Sequence, residues 1–318
     1  MSSTLEEILE AAEALERNAG GERQTAAIGQ GLGLYRCSRP QEIRDIRVNE
    51  ACVLLVLRGR KQLATSSRSW TATDGEMLLV PAGLSFWLGN YPRSSGVEYR
   101  GLAIRFGADV VELFRQLYGP RMVVDAAAGR WHAPAPAAFL EALGQWIAWS
   151  SRRRLDDEVA RHRRVELLWL LARAELAGHL LTAAHASWRR RVTELFELDP
   201  AHPWRIDEVG AKLGVSESTL RRHLQGEGQG FRNLLEEVRL MVGLTLVQES
   251  SMAIGRIADA VGYRSQSRFG ERFKRRFGMT PSTLRQTRLP VPAEGVAESP
   301  GEFSGSGESG GFGERVTD

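Results

Sequence analysis

Near the end of this 318-residue chain, one short stretch carries side chains whose types and spacing suit it to meet a nucleic-acid groove. On a helical wheel over residues 265–277, Phe269, Phe273 and Phe277 fall four apart on one face. Ser267, Arg268, Glu271 and Arg275 point roughly the opposite way, with Lys274 at the edge. Hydroxyls and guanidinium groups donate hydrogen bonds to base edges, a carboxylate accepts them, and cations attract phosphates. A packed helical hairpin with a solvated outer face accounts for one such pattern equally well.

The elements that must position these side chains are legible just upstream. Ile254, Ile257, Ala258 and Val261 sit at i, i+3, i+4 and i+7, which puts four apolar side chains on one helical face. Gly262 breaks that helix, because glycine takes the left-handed conformation that a helix end often needs. Ser265 is then placed to cap the phenylalanine-bearing helix. Two short helices with facing apolar stripes and a tight glycine turn read as a helix-turn-helix.

A second copy strengthens that reading. Ile206, Val209, Gly210, Leu213 and Gly214 match Ile254, Ile257, Ala258, Val261 and Gly262 at an offset of 48. Ser216, Leu220 and Leu224 match Ser265, Phe269 and Phe273 at an offset of 49, so the second turn is one residue longer. Between the copies, Phe231 to Glu249 has a helical pattern with Leu234, Leu235, Val238, Leu240, Met241 and Leu244 as apolar positions. Such a rod is about 27 Å long, comparable to the ~34 Å between major-groove faces on one side of DNA. Residues 203–288 hold 15 Lys and Arg against 9 Asp and Glu, about +6, while the whole chain carries +3. The positive charge is concentrated where counterion release would drive binding.

The rest of the chain sets limits. Its length suggests about two domains, each able to bury a core. Cys37 and Cys52 are the only cysteines, too few for a disulfide framework or a cysteine zinc site. The acidic, helical N-terminus lacks the pattern of a secretory signal, and the longest strongly apolar run, Ala51 to Leu57, is far too short to span a bilayer. The expectation is a soluble cytoplasmic protein with no membrane association.

Residues 5–18 suit one amphipathic helix. From about 32 to 105, the runs LGLYRC, ACVLLVLR, MLLVPAG and VEYRGLAIRF are short β-type segments between turn residues, which suggests a sandwich or small barrel. Their rhythm looks like a cupin-type jelly roll. No histidine precedes His132, so the histidine cluster of a metal-dependent cupin enzyme is missing and no metal or cofactor is expected. Trp70, Phe86, Trp87 and Tyr91 could line an effector pocket, although aromatics on strands more often serve as core. Helical patterns return at Ala108 to Tyr118, at Ala137 to Trp149, and over a longer stretch from Leu155 to Leu181. The broad apolar surface of that last stretch must pack on the barrel, a neighbouring helix or a second subunit. The mixed-charge run after Arg152 reads as a solvated face.

The stretch IGRIADAVGYRSQSRFGERFKRRFGMTPSTLR, with its looser partner WRIDEVGAKLGVSESTLRRHL, resembles the DNA-binding domain of the AraC/XylS family of bacterial transcription regulators over about 200–288. Gly210 and Gly243 stand where the family more often has alanine, and Gly270 where serine is common. The resemblance implies that each second helix enters a major groove. It makes Ser218, Thr219, Arg221 and Arg222, then Gln266, Ser267, Arg268 and Glu271, the candidates for base contacts. Lys274, Arg275 and Arg276 become candidates for phosphates. It also implies a cupin-like N-terminal domain for a small-molecule or protein effector or for homodimerisation, and contact with RNA polymerase at promoter DNA.

The expected fold is α+β: an N-terminal cupin-like β-barrel or jelly roll with following helices, then an all-α domain with two helix-turn-helix motifs joined by a long helix. The expected division is an arm at 1–20, a sensor at 21–135, a helical linker or dimerisation region at 136–198, the DNA-binding domain at 199–288 with motifs at 206–226 and 254–277, and a disordered acidic tail at 289–318. The expected function is a non-enzymatic transcription regulator, an activator in the leading reading. The alternatives are a small-molecule-binding cupin-type protein, or an interaction protein that modulates another regulator.

Overall fold

The computed structural model describes residues 2–18, 31–94, 96–119, 129–152, 156–181 and 187–288. It opens with helix α1 (Ser2–Asn18), followed by strands β1 (Leu32–Cys37), β2 (Gln41–Arg47), β3 (Ala51–Arg58), β4 (Arg60–Ala64), β5 (Ser69–Thr73), β6 (Glu76–Val80), β7 (Ser85–Tyr91) and β8 (Tyr99–Phe106). Helix α2 (Ala108–Tyr118) and strand β9 (His132–Pro134) lead to α3 (Ala137–Arg152), α4 (Asp157–Arg173), α5 (Gly178–Leu181) and α6 (Trp188–Leu198). The last part is α7 (Ile206–Lys212), α8 (Glu217–Gly226), α9 (Phe231–Glu249), α10 (Ile254–Ala260), α11 (Gln266–Phe277) and α12 (Pro281–Gln286).

The β region forms two antiparallel sheets, ordered β1-β8-β3-β6-β9 and β2-β7-β4-β5. The closed barrel among the expectations is not formed: among the described residues no strand pairs from one sheet to the other. The physical reason lies in the first sheet, whose central strands are apolar on both faces. Val53, Leu55, Met77, Leu79, Leu102 and Ile104 face a helical layer with Ile8, Phe114, Trp146 and Leu168. The alternate residues Leu54, Val56, Leu78, Val80 and Ala103 face the second sheet, where Leu63, Ala72 and Phe86 meet them. One sheet thus serves two cores.

The helix expected over Leu155 to Leu181 is divided. Helix α4 ends at Arg173, Glu175 takes the left-handed conformation (φ 58°), and the Leu176 N–H turns back to the Leu171 carbonyl at 2.9 Å. Leu176 and Leu180 still join the same core, so the apolar spacing survives the break. Leu155 itself, the arginines at 153 and 154, and the tail at 289–318 lie outside the described residues.

Candidate nucleic-acid interface

Each helix-turn-helix is assembled from the same local parts. Gly214 (φ 72°) and Gly262 (φ 78°) turn the chain after α7 and α10. Ser216 and Ser265 then accept hydrogen bonds from the backbone N–H groups of Thr219 and Arg268, both at 3.3 Å, satisfying amides that a helix start leaves open. Gly278 (φ 82°) ends α11, its N–H donating to the Lys274 carbonyl at 2.9 Å.

Helix α9 holds the two motifs in one frame. Its first half contributes Leu234 and Val238 to a core with Val192, Phe196, Val209, Leu220 and Leu224. Its second half contributes Leu240, Leu244 and Val247 to a core with Ile257, Ala258, Val261, Phe269, Phe273, Phe277 and Leu284. A rod of 19 residues, about 28 Å long, therefore belongs to both cores and fixes the separation of the two second helices.

Opposite these cores, Ser218, Arg221, Arg222, Gln266, Ser267, Arg268 and Glu271 are exposed, and Thr219 is half-buried. Arg222 and Arg268 have no ion-pair partner among the described residues, whereas Arg221 pairs with Glu217 one turn earlier. Ser218 and Thr219 turn their hydroxyls toward the cap, at 3.0 and 2.9 Å from Ser216 Oγ. Among the phosphate candidates, Lys274 is exposed and Arg275 lies 3.7 Å from Glu236. Arg276 is differently placed. Its side chain is only 16% exposed, facing Asp45 of β2 at 3.3 Å and Glu237 of α9 at 4.0 Å.

The three unusual glycines also separate. A Cβ on Gly243 would meet the Phe269 ring at 2.8 Å, and one on Gly210 the Val215 carbonyl at 2.7 Å, so both allow close backbone packing. A Cβ on Gly270 would meet nothing within 4 Å. Gly270→Ala is therefore expected to raise stability by about 1 kcal/mol in chemical denaturation. A variant no more stable than the parent would show that helix propensity does not govern this position.

A second feature escaped the sequence reading. A cavity of about 450 Å³ lies between the two sheets and α9, lined among others by Tyr35, Leu54, Lys61, Phe86, Met241 and Leu244. Of the aromatics singled out from sequence, Phe86 lines it. Trp70 instead stacks on Trp131 at 4.4 Å, the Tyr91 ring lies under Arg60, and Trp87 is not part of the wall. Lys61 is the unexpected member. It is 3% exposed, its Nζ donates to Asn90 Oδ1 at 2.6 Å, and no carboxylate pairs with it among the described residues. Burial holds its pKa down to about 8. Cys37 and Cys52 nearby are pushed up to about 12, also by burial, and remain neutral thiols. The sequence signal was the parity of RKQLA, where Lys61 shares the inward face with Leu63.

Two helix-turn-helix units on one rod, with basic and hydroxylic outer faces, define a DNA-binding regulator attached to a two-sheet domain. The comparisons agree along the chain. The AraC-type transcriptional regulator N-terminus matches residues 29–187, and a helix-turn-helix domain matches 209–287. A putative AraC-like transcription regulator of Streptomyces antibioticus is 31% identical over 272 residues, covering 83% of this chain and 87% of that one. The urease operon transcriptional activator of Escherichia coli is 38% identical over 94 residues, which is 30% of this chain and only 32% of the activator. Among solved structures, apo ToxT from Vibrio cholerae superposes with a TM-score of 0.58 at 16% identity, over 81% of this chain and 97% of ToxT. ToxT bound to an unsaturated fatty acid gives 0.56 at 14% identity, over 82% and 96%. Likeness at that identity shows the fold. The chain belongs to the AraC family of transcription regulators, whose members bind promoter DNA. Among the described residues, no helix is long and apolar enough to cross a membrane.

Proposed function

We propose that the chain activates transcription by setting α8 and α11 into adjacent major-groove segments of a promoter. In this reading Ser218, Thr219, Arg221, Arg222, Gln266, Ser267, Arg268 and Glu271 face the bases, while Lys274 and Arg275 meet phosphates. Arg276 reaches a phosphate only if it leaves Asp45. The carrying observation is that Arg222 and Arg268, one on each second helix, are solvent-facing and have no ion-pair partner among the described residues, while α9 spans both cores.

Residues 21–135 with 136–198 then form the sensing and pairing part, and 199–288 the reader. The cavity beside Lys61 is the effector site we favour. Lys61 is a buried cation with no carboxylate paired to it among the described residues, in a wall that also carries Arg47, Glu50, Arg105 and Glu197 but has more apolar side chains than polar ones. This suits a molecule with an anionic head and an apolar body, and ToxT, of the same fold, is seen with a fatty acid. Pairing as a homodimer is supported by the exposed Leu117 and Trp149 on the helical layer, and contact with RNA polymerase by the habit of the family.

The test uses the full chain and DNA segments recovered by genome-wide mapping. Arg222→Ala and Arg268→Ala are each expected to lose about 1–3 kcal/mol of discrimination between a mapped site and unrelated DNA, with thermal unfolding unchanged. Wild-type protein that binds both DNAs equally at physiological salt would sink the proposal.

A further inference from the structure

The described residues contain few buried polar side chains, and four of them form a single row. Gln41, Lys61, Asn90 and Thr287 are each at most 8% exposed. Lys61 on β4 and Asn90 on β7 are cross-strand partners, as are Asn90 and Gln41 on β2, so three of the four lie side by side across the second sheet. Lys61 Nζ donates to Asn90 Oδ1 at 2.6 Å, Asn90 Nδ2 to Gln41 Oε1 at 3.1 Å, and Gln41 Nε2 to Thr287 Oγ1 at 2.6 Å. Thr287 Oγ1 in turn donates to the Leu284 carbonyl at 2.6 Å. Every donor points the same way, from the cavity to the end of α12.

The far end of the row is an anchor. The Thr287 carbonyl accepts the Ser38 N–H at 2.7 Å, the Ser38 hydroxyl at 3.1 Å and the Arg39 N–H at 3.4 Å, which ties the close of the second helix-turn-helix to the β1–β2 turn. The near end is open. An ammonium has three donors, of which one serves Asn90 and another reaches toward Tyr99 Oη at 3.4 Å, while Lys61 lines the cavity. An anion accepting the remaining donor holds Lys61 charged and strengthens its bond to Asn90. Aligned hydrogen bonds in a low-dielectric interior polarise one another, so the effect passes along the row.

We infer that the row Lys61, Asn90, Gln41 and Thr287 couples occupancy of the cavity, by a molecule with an anionic head and an apolar body, to the docking of α12 on the turn before β2. This rests on the effector reading above for the ligand and stands on the hydrogen-bond row for the coupling. The cavity is walled by both sheets and α9, and an anion on Lys61 Nζ favours the docked arrangement through the row, so by reciprocity a change at Thr287 must be felt by an anion bound there.

The test uses the full chain with dodecanoate and its neutral counterpart dodecan-1-ol as probes, followed by calorimetry. Thr287→Val, which does not touch the cavity, is expected to weaken dodecanoate binding at least 5-fold, the lower end for coupled sites, and to leave dodecan-1-ol binding unchanged. In a Lys61→Met background the same substitution is expected to have no effect on either probe. Equal dodecanoate affinity in wild type and Thr287→Val overturns the coupling, and so does equal weakening for both probes, which would mean general loosening.

Amide hydrogen exchange on ligand-free protein reads the row independently. Lys61→Met, or Gln41→Leu should that variant fold better, is expected to speed exchange at Ser38 and Arg39. Unchanged protection at those amides overturns the coupling by itself. Failure of wild-type protein to bind dodecanoate would instead overturn the anionic-ligand reading and leave the exchange result to decide the row.

Discussion

Phe273→Ala is expected to destabilise the reader by about 3–5 kcal/mol and to abolish specific DNA binding at physiological temperature. Phe273 is fully buried, with Phe269 and Phe277 ring centroids 5.5 and 4.6 Å away in edge-on contacts. The core around it also takes Ile43 from β2, so the cavity left by truncation loosens α11 against α9 and the sheet together. Refilling by relaxation is limited, because Phe269 is held by Gly243 at close range and Phe277 by the end of its helix. Denaturant unfolding gives the loss directly, and the DNA titration should fail in parallel. A variant that loses DNA binding while keeping its full stability would place Phe273 in the interface instead of beneath it.

The second large effect concerns pH. Glu249, the last residue of α9, is 5% exposed, and burial raises its carboxyl from the ordinary 4.5 to about 7, against the opposing charges of Arg105 and Arg288 and the hydrogen bond from Tyr35. A carboxyl raised on folding keeps its proton in the folded chain after the unfolded chain has lost it. The stability that follows is fully present below about pH 4.5, falls as pH rises toward about 7, and changes no further above it. At about 1.4 kcal/mol per pH unit, the difference between pH 4.5 and pH 8 is on the order of 3 kcal/mol. Glu249→Gln should remove that part of the slope, so the gap between variant and wild type must widen from pH 5 to pH 8. Parallel pH profiles for the two proteins would show that Glu249 does not titrate in this range.

Much of the reader was legible because its rules are local. Ile254 through Val261, the glycine turn, Ser265 and the phenylalanines at a spacing of four specify a hairpin whatever surrounds it, and a repeat of the pattern at an offset of 48 to 49 doubles the information. The strands β1, β3, β6 and β8 were visible because apolar runs dominate them. Strands β5 and β7 were read only through their aromatics, Trp70, Phe86, Trp87 and Tyr91, and β2 was not read at all, since QEIRDIR mixes polar and apolar residues. In β2 the register shifts between Ile43 and Ile46, with Asp45 in the left-handed region (φ 46°), so no strict alternation exists to be read. That irregular strand is the one that meets α11.

By itself, then, the stretch of residues around Phe269 and its upstream copy determined the helix-turn-helix pair, the rod between them and the outward position of Arg222 and Arg268, because helix caps and apolar periods act within a few residues of one another. Only the tertiary structure decided that Arg276 faces Asp45 across 231 positions of sequence, and that Lys61 joins a row ending at Thr287. Those partners are brought together by sheet register and by the packing of α9 on the sheets. Neither has a local signature, since a buried polar side chain reads in sequence like any other polar residue until its neighbours are in place.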